Sequence, residues 1–375
     1  MGLKLTNFKT VGFDDPLVTS VVIDEQGYLS DTATVTETID CQGSYLSPGW
    51  TDLHVHVWHG GSDVSVRPAQ AGRGTGVTTM ADAGSAGEAA FHGFREYVID
   101  REQETIKAFL NIGSIGLVAC NRVPELMDVR FIDVDRTMAV IEANRDVICG
   151  IKVRASGVIC GNWGVTPAKI AKRVAEIAGL PLMVHVGEPP PLIDEVFDIL
   201  TPGDVVTHCF NGKCCGSIRD TKALFDQALD MQQRGILMDV GHGVASFDFE
   251  TARLSMEEGL KPFSISTDMH LWNVNGPVYN LATTMSKLLT LGLSFEEVIE
   301  ASTNRPRSFL GLGGRSGLTS GTRADFTIFD LADNDELATD SGGNTIRLTK
   351  TFEPKFTLIG RSMAAAARRG PGKEA

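Results

Sequence analysis

Between residues 51 and 268 the chain repeats one alternation. Apolar, strand-like runs fall near 51–57, 76–82, 107–118, 147–154, 181–187, 204–209, 235–241 and 262–268. Helix-compatible stretches such as PAKIAKRVAEIAG (167–179) and RDTKALFDQALDMQQRG (219–235) separate many of them. Strand and helix in regular alternation build a parallel sheet, and eight such units suit a (β/α)8 TIM barrel. The last run is followed by SFEEVIEASTNRPRSFLGL, where Ser294 can cap a helix with Glu297 three residues on. In such a barrel the chemistry belongs at the C-terminal ends of the strands.

The two ends of the chain have a different texture. LVTSVVID and TATVTETID near the start, and GLTSGTRADFTIFDL and FEPKFTLIG near the end, read as short strands and turns. The expected organisation is a small β-sandwich from both termini, residues 1–48 and 313–362, around a barrel of residues 49–312. The closing MAAAARRGPGKEA, 363–375, is small and basic and is expected to be a flexible tail.

Composition removes several function classes. A net charge of −13, from 47 acidic and 34 basic residues, argues against nucleic acid or an anionic membrane surface as a partner. There is no run of 18 apolar residues and no apolar N-terminal signal segment. The seven cysteines are odd in number, and Cys214 and Cys215 are adjacent, which suits reduced thiols in a cytoplasmic protein. A small-molecule substrate is the expected partner, with homo-oligomerisation left open. GRGTGVTT (72–79) lacks the lysine of a phosphate loop and precedes a strand, so it reads as a turn.

The first run ends in DLHVHVWH, which holds three of the eight histidines. Alternation on a strand points Asp52, His54 and His56 to one side. Later strands carry Lys152, His185, His208 and Asp268 near their ends. A single late histidine is ordinarily a hydrogen-bonded core residue; this many convergent polar groups point to a metal site.

The set PGWTDLHVH (48–56), Lys152, His185, His208 and Asp268 resembles the amidohydrolase superfamily of metal-dependent hydrolases. IKVRAS and VGHGVASFDF are most similar to its amidohydrolase/deacetylase branch, loosely called dihydroorotase-like. RADFTIFD resembles the return strand of that family's β-sandwich. The resemblance implies two divalent metals, with zinc suited to the imidazole-rich set. It implies that His54, His56 and Asp268 hold one metal and His185 and His208 the other, bridged by Lys152 carboxylated by CO2. Asp268 is the implied catalytic base. Asp52 either steadies a ligand ring or caps the fold. The implied reaction is hydrolysis of an amide or ester in a small carboxylate, of the N-acyl-D-amino acid deacylase or α-acyloxy-carboxylate esterase type. A cyclic amidase of dihydroorotase or hydantoinase type would use the same ligands. A non-catalytic scaffold relative would be expected to lack some of them.

Two residues are candidates for binding substrate. Arg154 follows Lys152 by two positions and suits a carboxylate, or else a rim salt bridge. His242 lies between two glycines that permit close backbone approach. Gly84, Ser85, Asn211 and Gly212 are further rim candidates, while His270 and Trp272 are as suited to packing as to binding.

Overall fold

The computed structural model describes residues 2–14, 17–315 and 317–371. Five strands open the chain: β1 (Gly2–Thr6), β2 (Lys9–Thr10), β3 (Ser20–Ile23), β4 (Val35–Asp40) and β5 (Tyr45–Pro48). Seven follow in alternation with helices: β6 (Trp50–Val55), β7 (Val77–Gly87), β8 (Thr105–Asn111), β9 (Ile148–Ala155), β10 (Leu182–Val186), β11 (Val205–Thr207) and β12 (Leu237–Asp239). Three close the chain: β13 (Asp325–Thr339), β14 (Thr345–Ile359) and β15 (Ser362–Ala365).

Strands β6 to β12 form one parallel sheet in sequential order. Every residue of β6 and β7 is buried, as expected for a sheet covered on both faces. The eighth apolar run forms no regular strand. Segment 264–269 instead makes isolated parallel bridges to both sheet edges, Ser264 with Asp239 and Met269 with Val55. Asp268 N donates to His54 O at 2.7 Å and His56 N to Met269 O at 2.9 Å. The sheet therefore curls until its two edges share one connecting segment, the architecture of a TIM barrel.

Inside the curl, period-two alternation separates two layers. Phe109, Met183 and Val205 belong to a buried apolar cluster with Leu310. Two residues further along the same strands stand Asn111, His185 and Thr207. The apolar layer plugs one end, and the polar layer opens at the C-terminal ends of the strands.

The terminal strands form a three-stranded sheet, β3-β1-β4, and a five-stranded sheet, β15-β14-β13-β5-β2. Leu3, Leu5, Phe8 and Ile23 share a buried cluster with Leu46, Phe326, Ile328 and Leu358. The β13–β14 hairpin is longer than its apolar stretches indicate, because charged residues continue the pairing through Asp333–Lys350 and Asp335–Arg347 ion pairs. Phe329 and Phe352 pack on Trp50 with ring centroids 5.3 and 6.3 Å away, and Phe352 stacks on Phe295 at 5.8 Å. The five-stranded sheet and the barrel thus share a core at this seam. Ser294 caps the helix Phe295–Ser302 in a capping box with Glu297.

The flexible-tail expectation is corrected as far as residue 371. β15 pairs with β14, and Ala367 N donates to Gly74 O at 3.1 Å. The Arg368 side chain is fully buried, donating to Glu336 at 2.7 Å and Glu353 at 2.8 Å. Small residues lie flat enough to pair as an edge strand, and two carboxylates satisfy the arginine. Residues 372–375 lie outside those described. All seven cysteines are free thiols, and among the described residues no helix is long and apolar enough to cross a membrane.

Candidate active site

A cavity of about 180 Å³ opens at the C-terminal ends of the strands. His54, His56, Lys152, His185, His208 and Asp268 all line it, so the structure brings together the six residues of the sequence-predicted ligand set. His54 Nε2 and His56 Nε2 lie 3.3 and 3.0 Å from Asp268 Oδ1. Lys152 Nζ is 3.4 Å from His54 Nε2. The rings of His185 and His208 meet edge-on at 4.5 Å between centroids. Donor atoms of His54, His208 and Asp268 fall within 4.8 Å of one another, a spacing that suits a metal ion.

Hydrogen bonds behind the rings settle which nitrogen faces inward. Thr207 Oγ1 donates to Asp239 Oδ2 at 2.7 Å, so it accepts from His54 Nδ1–H at 2.8 Å. Gly241 O can only accept, so His208 Nδ1 carries the proton in their 2.6 Å bond. In both rings the Nε2 lone pair is left for the cavity, the arrangement that metal-bound histidines need. His56 Nδ1 meets Ser85 Oγ at 2.9 Å. Asp239 is itself held by Ser264 and Ser266.

The electrostatics agree with that donor set. Burial, joined by nearby positive charge, holds His54 and His185 well below the ordinary imidazole range and His208 at about 4. Burial alone would raise Asp268, but the imidazoles of His54, His56 and His270 outweigh it and hold the carboxyl well below its usual range. Burial also lowers Lys152 to about 7, so the neutral amine is accessible near neutral pH. Neutral imidazoles, an ionised carboxylate and a deprotonatable lysine are the states that divalent metal ligation requires.

Backbone strain is concentrated here. His208 and Asp268 have φ of +68° and +50°, a region that side chains with a Cβ rarely occupy. The glycines beside His242 have a different purpose from the one expected. A Cβ on Gly241 would lie 2.8 Å from His208 Nδ1, and one on Gly243 would lie 2.6 Å from Asp268 Oδ2. The absence of a Cβ at these two positions leaves room for the side chains of Thr207, His208 and Asp268.

His242 itself does not reach the cavity wall. Its ring is fully buried, meets Gly243 O through Nδ1 at 2.9 Å, and accepts from Lys287 Nζ at 2.8 Å. Arg154 does line the cavity, but its Nε and Nη2 donate to Glu125 at 2.7 and 2.6 Å. Asp52 touches no imidazole; it accepts from the backbone of His54 and Thr267 and from the Thr267 hydroxyl, which ties the eighth segment to β6. Burial pushes its carboxyl up to about 7. Ser85 supports His56, Asn211 is buried within its own loop, and His270 and Trp272 line the cavity.

Sequence reasoning missed Thr207, Asp239, Glu125, Glu188 and Lys213. Thr207 and Asp239 lie at the ends of strands that were recognised, and their polar character there was the available signal. Glu125 and Glu188 come from loops with no pattern of their own.

A curled parallel sheet with imidazoles, a carboxylate and a buried lysine at its C-terminal mouth is a TIM-barrel hydrolase architecture whose donor set fits a metal ion. The amidohydrolase family model matches residues 45–363, and the chain belongs to that family. A deacetylase of Brucella anthropi is 53 % identical, over 98 % of this chain and 94 % of the relative. A crystal structure described as a dihydroorotase superposes with a TM-score of 0.95 at 52 % identity, covering 99 % of this chain and 100 % of that one. One described as an adenine deaminase gives 0.88 at 33 %, covering 97 % and 99 %. The chain is a hydrolytic enzyme of the dihydroorotase-like branch.

Proposed function

We propose that the protein is a binuclear metal-dependent hydrolase of amide or ester bonds in small carboxylates. The observation that carries this reading is the pair of inward-facing Nε2 atoms of His54 and His208 beside Asp268 and a lysine free to lose its proton. His54, His56 and Asp268 would hold one ion, and His185 and His208 the other. Two divalent cations, zinc by donor type, would polarise an acyl carbonyl and acidify a bound water.

The chain's own groups do the rest. The neutral Lys152 amine adds to CO2, forming an N–C bond and releasing one proton, and the resulting carbamate presents two oxygens to the ligand cluster. Asp268 takes a proton from the attacking water and returns it to the leaving amine or alkoxide. Val64, Leu117, Ile159 and Val244 line the walls and exclude bulk water around the acyl group. We also read the two terminal sheets as one β-sandwich, since their shared apolar cluster draws on both chain ends.

The deacetylase relative supports acyl transfer to water from a linear substrate. The dihydroorotase name of the 52 % identical structure supports the second reading, a cyclic amidase. Steady-state assays of the zinc-loaded protein separate them. N-acetyl-D-amino acids or α-acyloxy carboxylates should be turned over at least about 100-fold more efficiently than dihydroorotate, a gap of roughly 2.7 kcal/mol in transition-state binding. The reverse order makes the protein a cyclic amidase.

A further inference from the structure

Three cationic side chains line the cavity, Lys152, Arg154 and Lys213, together with two carboxylates, Asp268 and Glu188. Lys152 and Asp268 belong to the ligand cluster, which leaves Arg154 and Lys213 to meet a substrate anion. Their circumstances differ. Arg154 has an 11 % exposed side chain and is gripped through two nitrogens by Glu125, which is 1 % exposed. Its Nη1 also donates to Asn121 Oδ1 at 3.0 Å. A substrate carboxylate that displaced Glu125 would leave a buried charge without a partner, which strongly disfavours the exchange.

Lys213 pairs with Glu188 at 2.7 Å, and there the carboxylate is 44 % exposed. Glu188 is otherwise held by Ser156 Oγ at 2.8 Å and can turn into water at little cost. The lysine is well placed by its backbone. The loop after β11 is closed by Gly216 N to Lys213 O at 3.0 Å and by Asn211 Nδ2 to Gly216 O at 3.1 Å. That loop lies directly on the loop after β10, since a Cβ on Gly216 would sit 2.1 Å from Gly187 O. A Cβ on Gly187 would in turn lie 3.2 Å from His185 Nε2, 3.6 Å from Lys213 Nζ and 3.7 Å from Ser156 Oγ. The ammonium, a hydroxyl and a ligand imidazole thus surround one point on the cavity wall.

We propose that Lys213 is the specificity-determining cation, which takes the substrate carboxylate in exchange for Glu188, while the Arg154–Glu125 pair is a fixed wall. This rests on the small-carboxylate hydrolase reading. The released Ser156 hydroxyl becomes a second donor to the same carboxylate, and the acyl carbonyl carbon, three bonds from the carboxylate carbon, lies on the side of His185.

The test compares N-acetyl-D-leucine with its carboxamide, and adds calorimetric binding of D-2-hydroxyisocaproate, which needs no turnover. Lys213→Met should lower kcat/KM for the acid by about 30-fold or more and change the amide by less than about threefold. It should also weaken D-2-hydroxyisocaproate binding by about tenfold or more, and Lys213→Arg should restore part of both. Equal loss on acid and amide overturns the proposal. So does a carboxylate-specific loss in the Arg154→Met/Glu125→Gln double variant with Lys213→Met unaffected. If the wild type hydrolyses neither compound, the substrate reading fails, and binding alone decides: unchanged D-2-hydroxyisocaproate affinity in Lys213→Met overturns the role of Lys213.

Discussion

At the scale of single residues, the site depends on which imidazole nitrogen carries its proton. For His54 that choice belongs to Thr207, whose hydroxyl is committed as a donor to Asp239 and so can only accept from the ring. Thr207→Val keeps the shape and removes the acceptor. The His54 Nδ1–H is then buried without a partner, and the tautomer with Nε2 free is no longer favoured. Metal affinity should fall by about 10- to 100-fold, read by competition with a chromophoric chelator below the variant's melting temperature, which itself should drop because His54 and Asp239 each lose a buried partner. Unchanged affinity would mean that ring orientation is set elsewhere. Arg154 teaches the converse lesson. Its position two residues after Lys152 was legible, but its partner was not, because Glu125 is 29 residues away in an irregular loop.

At the scale of elements, left-handed backbone recurs at the barrel mouth in the turns after β11 and β12 and in the eighth segment. Left-handed backbone at His208, just after β11, and at Asp268, in the eighth segment, turns these side chains inward, and Gly241 and Gly243 leave the space they enter. Gly243→Ala places a methyl 2.6 Å from Asp268 Oδ2 at a φ of +60°. Gly203 is a control, with a φ of +94° and no atom within 4 Å of the point a methyl would occupy. Both variants should lose about 1 kcal/mol of stability to the left-handed backbone. Only Gly243→Ala should also lose about 100-fold or more in kcat, through displacement of the carboxylate proposed above to carry the proton. Equal activities would show that Asp268 can shift without consequence.

At the scale of the whole molecule, a buried lysine is among the groups that join the terminal hairpin to the barrel mouth. Lys287, on the helix Leu281–Thr290, donates to Pro277 O and Thr339 O at 2.7 Å and to His242 Nε2 at 2.8 Å. The three acceptors belong to the loop after the eighth segment, the hairpin, and the loop after β12. Burial lowers its pKa to about 7, against an ordinary 10.5, with Asp340 and Glu336 opposing. Between those two values the unfolded chain binds more protons than the folded one, so Lys287 makes stability rise with pH across that window. Thermal unfolding from pH 7 to 10 should show this rise in the wild type, and a smaller one in Lys287→Met. An identical slope in both would locate the titration elsewhere.

The sequence alone determined the alternating architecture, because a parallel strand buried on both faces must be apolar throughout and its helix must be amphipathic. It also located the six ligand-type residues, because a polar side chain late in such a strand has few other reasons to be there, and because their order resembles a known family. It did not determine what lies behind or across from them. Thr207, Asp239 and Glu125 act through contacts between distant segments, and no local period records such contacts. Nor does it record that the glycines beside His242 leave clearance for His208 and Asp268. The tail 363–371 looked solvated because alanine and arginine carry no strand pattern; only the folded molecule supplies the free edge of β14 and the carboxylates of Glu336 and Glu353 that hold it. Periodicity reports which face of an element is buried. Which group meets which across the interior is decided when the elements pack.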